Sequence, residues 1–230
     1  MLQLIKLELK KFKLGWYVKG AIIANILLTV IMCFVIYLAH SEGDLLITVY
    51  QDVYILIGAS VRATFIVFAS VLISKIVIEE YKNKTISLLF SYPVNRKKII
   101  ASKLLLIVSL TLITMMLSNI VVAGLFTIVN IYIPIVPFTL TVNRFLGEVI
   151  NMVPFVIASA GMSLIPLYFG MRNHSVPVTI TSSLIVVAIA CSYNPEISLV
   201  TFIPLQIGLA VIGGAIAYLG IRNIEREDAV

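Results

Sequence analysis

Long apolar runs alternate with short charged stretches along this chain, and the length of those runs decides the first reading. A bilayer core of ~30 Å is crossed by about 20 apolar residues in a helix. Six runs approach or exceed that length: 20–39, 53–78, 104–133, 149–171, 176–193 and 197–221. The first, third and fifth carry no charge, while the second is interrupted by Arg62 and Lys75. The third is longer than a perpendicular crossing needs, which points to tilt or an early end. Period-2 alternation is absent, and runs such as Leu104–Leu112 favour helices over barrel strands. The pattern predicts an all-α polytopic membrane protein, one domain over 1–230, with six transmembrane helices.

Composition excludes the other classes. The chain is 60% apolar and 12% charged, with a mean hydropathy of +1.09. Soluble domains have roughly 45–50% apolar and about 25% charged residues, and disorder needs low hydrophobicity with high net charge. The formal net charge of +6 would suggest a nucleic-acid partner in a soluble protein. Here it marks orientation, and no nucleic acid is expected.

Lys6, Lys10, Lys11, Lys13 and Lys19 precede span one. Lys75, Lys82, Lys84, Arg96, Lys97, Lys98 and Lys103 cluster between spans two and three. Arg172 follows span four, and Arg222 and Arg226 follow span six. That side holds 15 basic and 6 acidic residues. The remainder holds 2 basic residues, Arg62 and Arg144, against Glu42, Asp44, Asp52, Glu148 and Glu196. By the positive-inside rule both termini are cytoplasmic. The 19-residue basic stretch ahead of span one, with no small-residue cleavage site before the acidic loop, is not that of a cleavable signal peptide.

Little is left outside the membrane. The external loops are Ser41–Asp52, Pro134–Glu148 and Asn194–Glu196, too short for a catalytic or receptor domain. At the N-terminus, Gln3, Lys6, Lys10 and Lys13 recur on one helical face, and Leu2, Ile5, Leu9 and Phe12 on another. This predicts an amphipathic interfacial helix, either a plain anchor or an elbow that also touches a cytoplasmic partner. The loop Glu79–Lys103 reads as a short helix ended by Pro93, then Asn95 as the cap of a next helix that begins with Arg96 and runs straight into span three. By composition alone it is an ordinary topology-fixing loop.

That hook resembles the one in type-2 ABC-transporter permeases. The match lies in the acidic pair Glu79 and Glu80, then Lys84 and Thr85, the leucines Leu88 and Leu89, the turn Pro93-Val94-Asn95-Arg96, and Lys103 ahead of span three. Asn95 replaces the usual serine, and Lys84 stands where many relatives have glycine. The resemblance implies a half-transporter permease working with a second permease copy and two nucleotide-binding ATPase chains. Glu79, Glu80, Tyr81, Lys82, Asn83, Lys84 and Thr85 would then form the coupling helix seated in the ATPase. ATP and magnesium would sit on that partner, and this chain would bind no cofactor and no metal. Consistently, the 230 residues contain no Gly-x-x-x-x-Gly-Lys-Ser/Thr phosphate loop.

Permeases of this kind with almost no external domain look like the peptide-toxin and antimicrobial-peptide exporters and immunity transporters of Gram-positive bacteria. The implied setting is a bacterial plasma membrane, and the implied cargo is an amphipathic peptide. A lipid, drug or other hydrophobic small molecule is the alternative. The single tryptophan, Trp16, reads as a membrane-interface residue, and no aromatic track for a sugar chain is visible.

Within the spans Arg62 stands out. A charge there costs about 2.5–3.5 kcal/mol on insertion scales, so it faces protein or water. It is a candidate for the substrate pathway, reaching a peptide carboxylate or pairing with Asp52, Glu148 or Glu196. Otherwise it snorkels outward. Asn25 and Asn119 suit helix–helix hydrogen bonds or substrate contacts, and Pro154 and Pro166 should bend span four. Ala210/Gly214 and Gly213/Ala217 form small-xxx-small pairs for close packing. Cys33 and Cys191 read as packing residues rather than a disulfide. No His-Glu-x-x-His or Gly-x-Ser-x-Gly sequence occurs, which argues against an intramembrane enzyme. A passive channel stays open as a rival.

Overall fold

The computed structural model describes residues 15–41, 50–83, 96–133, 142–173, 175–192 and 201–227. The N-terminal amphipathic stretch and the hook from Lys84 to Asn95 lie outside these. Helix α1 spans Gly15–Ser41 and α2 spans Tyr50–Ile73. The chain then winds through a π-helical turn, Ser74–Ile78, into a short α3, Glu79–Lys82. Next come α4 (Arg96–Tyr132), α5 (Val142–Met162), α6 (Ile165–Asn173), α7 (Val176–Ala190) and α8 (Ile203–Glu227). No strand occurs among the described residues.

Four helical stretches are long and apolar enough to cross a membrane: Gly15–Leu38, Asp52–Lys82, Lys98–Tyr132 and Phe145–Asn173. The apolar helices Val176–Ala190 and Ile203–Leu219 are shorter. At 1.5 Å per residue, a 15-residue helix such as Val176–Ala190 covers roughly 22 Å, less than a bilayer core.

The second stretch is the centre of the bundle. Val53, Tyr54, Ile57, Val61, Phe65, Ile66, Ala69 and Ile73 of α2 are all buried, and α2 packs on α4, α7 and α5. Helix α1 lies outermost, against α4 and α2. It exposes Ile22, Ile23, Ile26, Leu27, Val30, Ile31 and Phe34. Helices α4 and α8 also turn large apolar side chains outward. Such a surface would aggregate in water and is what a bundle presents to lipid.

Many hydroxyls inside the bundle are satisfied locally, whereas that of Ser74 has no partner among the described residues. Thr29, Ser60, Thr64 and Ser159 each donate to the carbonyl four residues back, and Ser70, Ser102 and Ser163 to the one three back. Longer-range bonds tie helices together. Tyr17 meets Thr114 at 3.1 Å, Tyr54 meets Thr127 at 3.0 Å, and Gln206 donates to the Ala190 carbonyl at 3.0 Å. Asn25 makes no such bond through its Oδ1, which is buried without a partner among the described residues. Both cysteines are free thiols, and Cys191 donates to the Ala59 carbonyl at 3.5 Å.

The prolines of the fourth stretch act differently from each other. Pro154 sits inside α5 without ending it. The interruption falls at Ser163–Leu164, just ahead of Pro166. Proline 166 has no N–H for the Met162 carbonyl, and its ring crowds that carbonyl. The chain bridges the gap with a tighter bond, Leu164 N–H to the Gly161 carbonyl at 3.2 Å.

Beside this break α5 and α8 touch backbone to backbone. A methyl on Gly213 would run into the Gly161 carbonyl oxygen, and one on Gly161 would lie 2.9 Å from Ala210 Cβ. Gly214, one residue on, faces open space. Of the two small-residue rows, Gly213 therefore serves packing within the chain, while Gly214 does not. Gly213→Ala should lower stability by about 1–3 kcal/mol through overpacking. Gly214→Ala should be neutral or stabilising by up to about 1 kcal/mol through helix propensity. Thermal melts of the two variants in detergent check the contrast.

Candidate functional site

Arg62 lies mid-helix in α2 and points into the bundle, only 5% exposed. Gly58, one turn earlier, has no side chain to shield its carbonyl, and Arg62 Nε donates to that oxygen at 3.1 Å. The guanidinium carbon lies 5.1 Å from the ring centroid of Phe155 on α5, within cation–π range. A cavity of about 70 Å³ opens here, lined among others by Tyr54, Arg62, Asn119, Glu148, Asn151 and Phe155. That volume holds several waters. Asn119 spends its amide donor on the Met115 carbonyl at 3.1 Å, and its Oδ1 is buried without a partner among the described residues. Donors, acceptors and an aromatic face therefore meet at this cavity.

The arginine thus points inward rather than snorkelling to the surface. Glu148, one of its three expected partners, lines the same cavity. Asp52 stands at the start of α2, and Glu196 lies outside the described residues.

A second cluster forms where α2 ends. The Glu79 N–H bonds the Ser74 carbonyl, an i to i−5 step that widens the helix by one residue. The wider turn buries Ser74, Ile76, Val77 and Ile78 together and leaves Lys75 outside. Lys75 Nζ sits 3.9 Å from the ring centroid of Trp16 on α1. Trp16 is 57% exposed, as an interfacial tryptophan should be.

Within α3 the acidic pair splits. Glu79, Lys82 and Asn83 are exposed, whereas Glu80 is 7% exposed and faces α4. Its Oε2 lies 2.7 Å from Lys103 Nζ, and the same ammonium donates to the Ile76 carbonyl at 3.2 Å. Lys103 is 1% exposed, among the buried Ile76, Ile78, Ile100 and Leu104.

Helix α4 starts at Arg96, as the reading of a helix running from Arg96 into span three expects. Charge spacing groups Lys103 with the cations ahead of that span, but Lys103 is two turns into the helix and buried there. Of the expected coupling residues, Glu79 to Asn83 are described, and Lys84 and Thr85 lie outside the described residues. Glu80, Lys103, Asn151 and Phe155 are the contacts that motif reading did not pair.

Fold and site together define a multi-pass helical membrane protein with a chamber of mixed polar and apolar lining in its bundle and a short helix continuing from the end of α2. Residues 4–192 match the family described as ABC-2 family transporter protein, and the chain belongs to that family. It is a membrane component of an ABC transporter, a class that works with separate ATPase subunits. It is 41% identical to a Bacillus subtilis (strain 168) protein named "Uncharacterized protein YcbO" over 228 residues, covering 99% of this chain and 100% of that one. No solved structure matches it.

Removing one partner of a buried ion pair leaves the other charge uncompensated in an apolar setting. Lys103→Met should therefore destabilise the chain by about 3–5 kcal/mol. Chemical unfolding in detergent against the native chain measures the difference.

Proposed function

We propose that this chain is the permease half of an ATP-driven exporter that moves amphipathic peptides out of a bacterial plasma membrane. In this reading the four long and two shorter apolar helices make six crossings with both termini cytoplasmic. A second copy completes the pathway, and two nucleotide-binding chains carry ATP and magnesium. Residues Glu79–Thr85 form the coupling segment, a reading supported by the hook motif and by a family that works with ATPase subunits.

The observation that most favours a peptide is the cavity at Arg62. It offers a guanidinium, asparagine amides and the Phe155 ring to a cargo that is itself part charged, part amide and part apolar. A purely apolar lipid tail would need none of these.

Reconstitution with the partner ATPase tests the proposal. Arg62→Ala should slow peptide export about tenfold, the loss of a charge-assisted hydrogen bond, while membrane insertion and ATPase co-purification stay intact. Unchanged export would remove Arg62 from the pathway. A labelled phospholipid offered in place of peptide separates the cargo classes, and lipid movement without peptide movement would favour the alternative. Replacing Glu79–Thr85 by a flexible linker should abolish ATPase retention. If retention and transport persist, the coupling assignment fails.

A further inference from the structure

We infer that Lys103 and Glu80 are positioning residues that weld α3 to α4, and that docking is left to the opposite face of α3. The inference rests on the coupling role proposed above. Glu79, Lys82 and Asn83 stand at i, i+3 and i+4, so they share one helical face, and all three are exposed. Glu80 points the other way into the apolar cluster. The acidic pair therefore does two jobs: Glu79 belongs to a mixed-charge surface suited to a polar protein cleft, and Glu80 is an internal anchor.

The anchor has three parts that depend on one another. The π-helical turn brings the Ile76 carbonyl and the Glu80 carboxylate to the same side of the chain. Lys103 spans them, with Nζ at 3.2 Å from the carbonyl and 2.7 Å from the carboxylate. A buried pair of this kind adds little net stability over two apolar side chains, but it fixes register, because any slip leaves charges unmatched in an apolar setting. An apolar contact could slide under load. This one holds the end of α2 and the second turn of α4 as a single body, so a push on the exposed face of α3 is delivered to α4 rather than lost in a loose joint.

The pair is tested by making it neutral. The double variant Glu80→Gln with Lys103→Met removes both charges at similar volume, so its melting midpoint should stay within about 4 °C of the native chain. It should still retain the ATPase, because the docking face is intact. Peptide transported per ATP hydrolysed should fall about tenfold, the size of an ordinary coupling free energy. Alanine at Glu79, Lys82 and Asn83 should instead lose ATPase co-purification. Native coupling in the folded neutral variant would overturn the inference, as would loss of ATPase binding in it.

A measurement on the intact pair covers the case in which the neutral variant fails to fold. Spin labels at the exposed positions Lys75 and Lys98, in a chain carrying Cys33→Ser and Cys191→Ser, report the spacing of the π turn and α4. The spacing should be the same with and without ATP, and a change between the two states would overturn the rigid link. If the native chain neither retains an ATPase nor transports, the exporter reading fails by itself. If it does both and only these tests fail, the link alone is wrong.

Discussion

A charge inside an apolar bundle has no bulk water to stabilise it, and that constraint organises this protein. Arg62, Glu80 and Lys103 are the buried charged side chains among the described residues. Each is embedded in contacts of a different kind. The ammonium of Lys103 takes a carboxylate and a backbone carbonyl, the short-range neutralisation that makes a buried pair tolerable. Arg62 takes a carbonyl, an aromatic face and a chamber large enough for water. The first arrangement is closed and suited to holding two helices. The second borders a cavity.

Backbone geometry provides both arrangements. The π-helical turn shifts the helix phase so that Ile76, Val77 and Ile78 are buried in succession while Glu80 comes round to meet α4. Elsewhere in the bundle, Pro166 forces an interruption, and glycines let α5 and α8 approach beside it to backbone contact. Both irregularities lie where the chain is enclosed by other helices, which is where freed backbone groups can find partners in a membrane protein.

Much of the helical plan was legible in the sequence because run length and charge spacing are one-dimensional signals. Gly20–Ala39, the core of α1, reads directly as an uncharged run. Arg62 was singled out for the same reason, as the charge in an otherwise uncharged stretch. What could not be read was phase. A π turn changes which side chains share a face, yet Ser-Lys-Ile-Val-Ile carries no residue that demands it. Glu80 and Lys103 are 23 positions apart, so their contact is fixed by helix packing and not by spacing. The start of α4 at Arg96 was legible from the cap position Asn95, but the burial of Lys103 was not, because basic residues near a span end read as cytoplasmic charge. Gly213 and Gly214 look equivalent in sequence, and only the crossing with α5 separates them.

The contact between Lys75 and Trp16 gives the molecule a built-in optical probe. Trp16 is the one tryptophan in the chain, and its ring lies beneath a lysine of the π-helical turn. Emission excited selectively at the indole, beyond the tyrosine absorption band, therefore comes from this one residue. It arises at the junction where α1 meets the end of α2, next to the segment that carries Glu80. Rearrangement of that junction changes the charge above the indole and the wetness around it, so the unlabelled native chain can be followed in a bilayer by its own fluorescence.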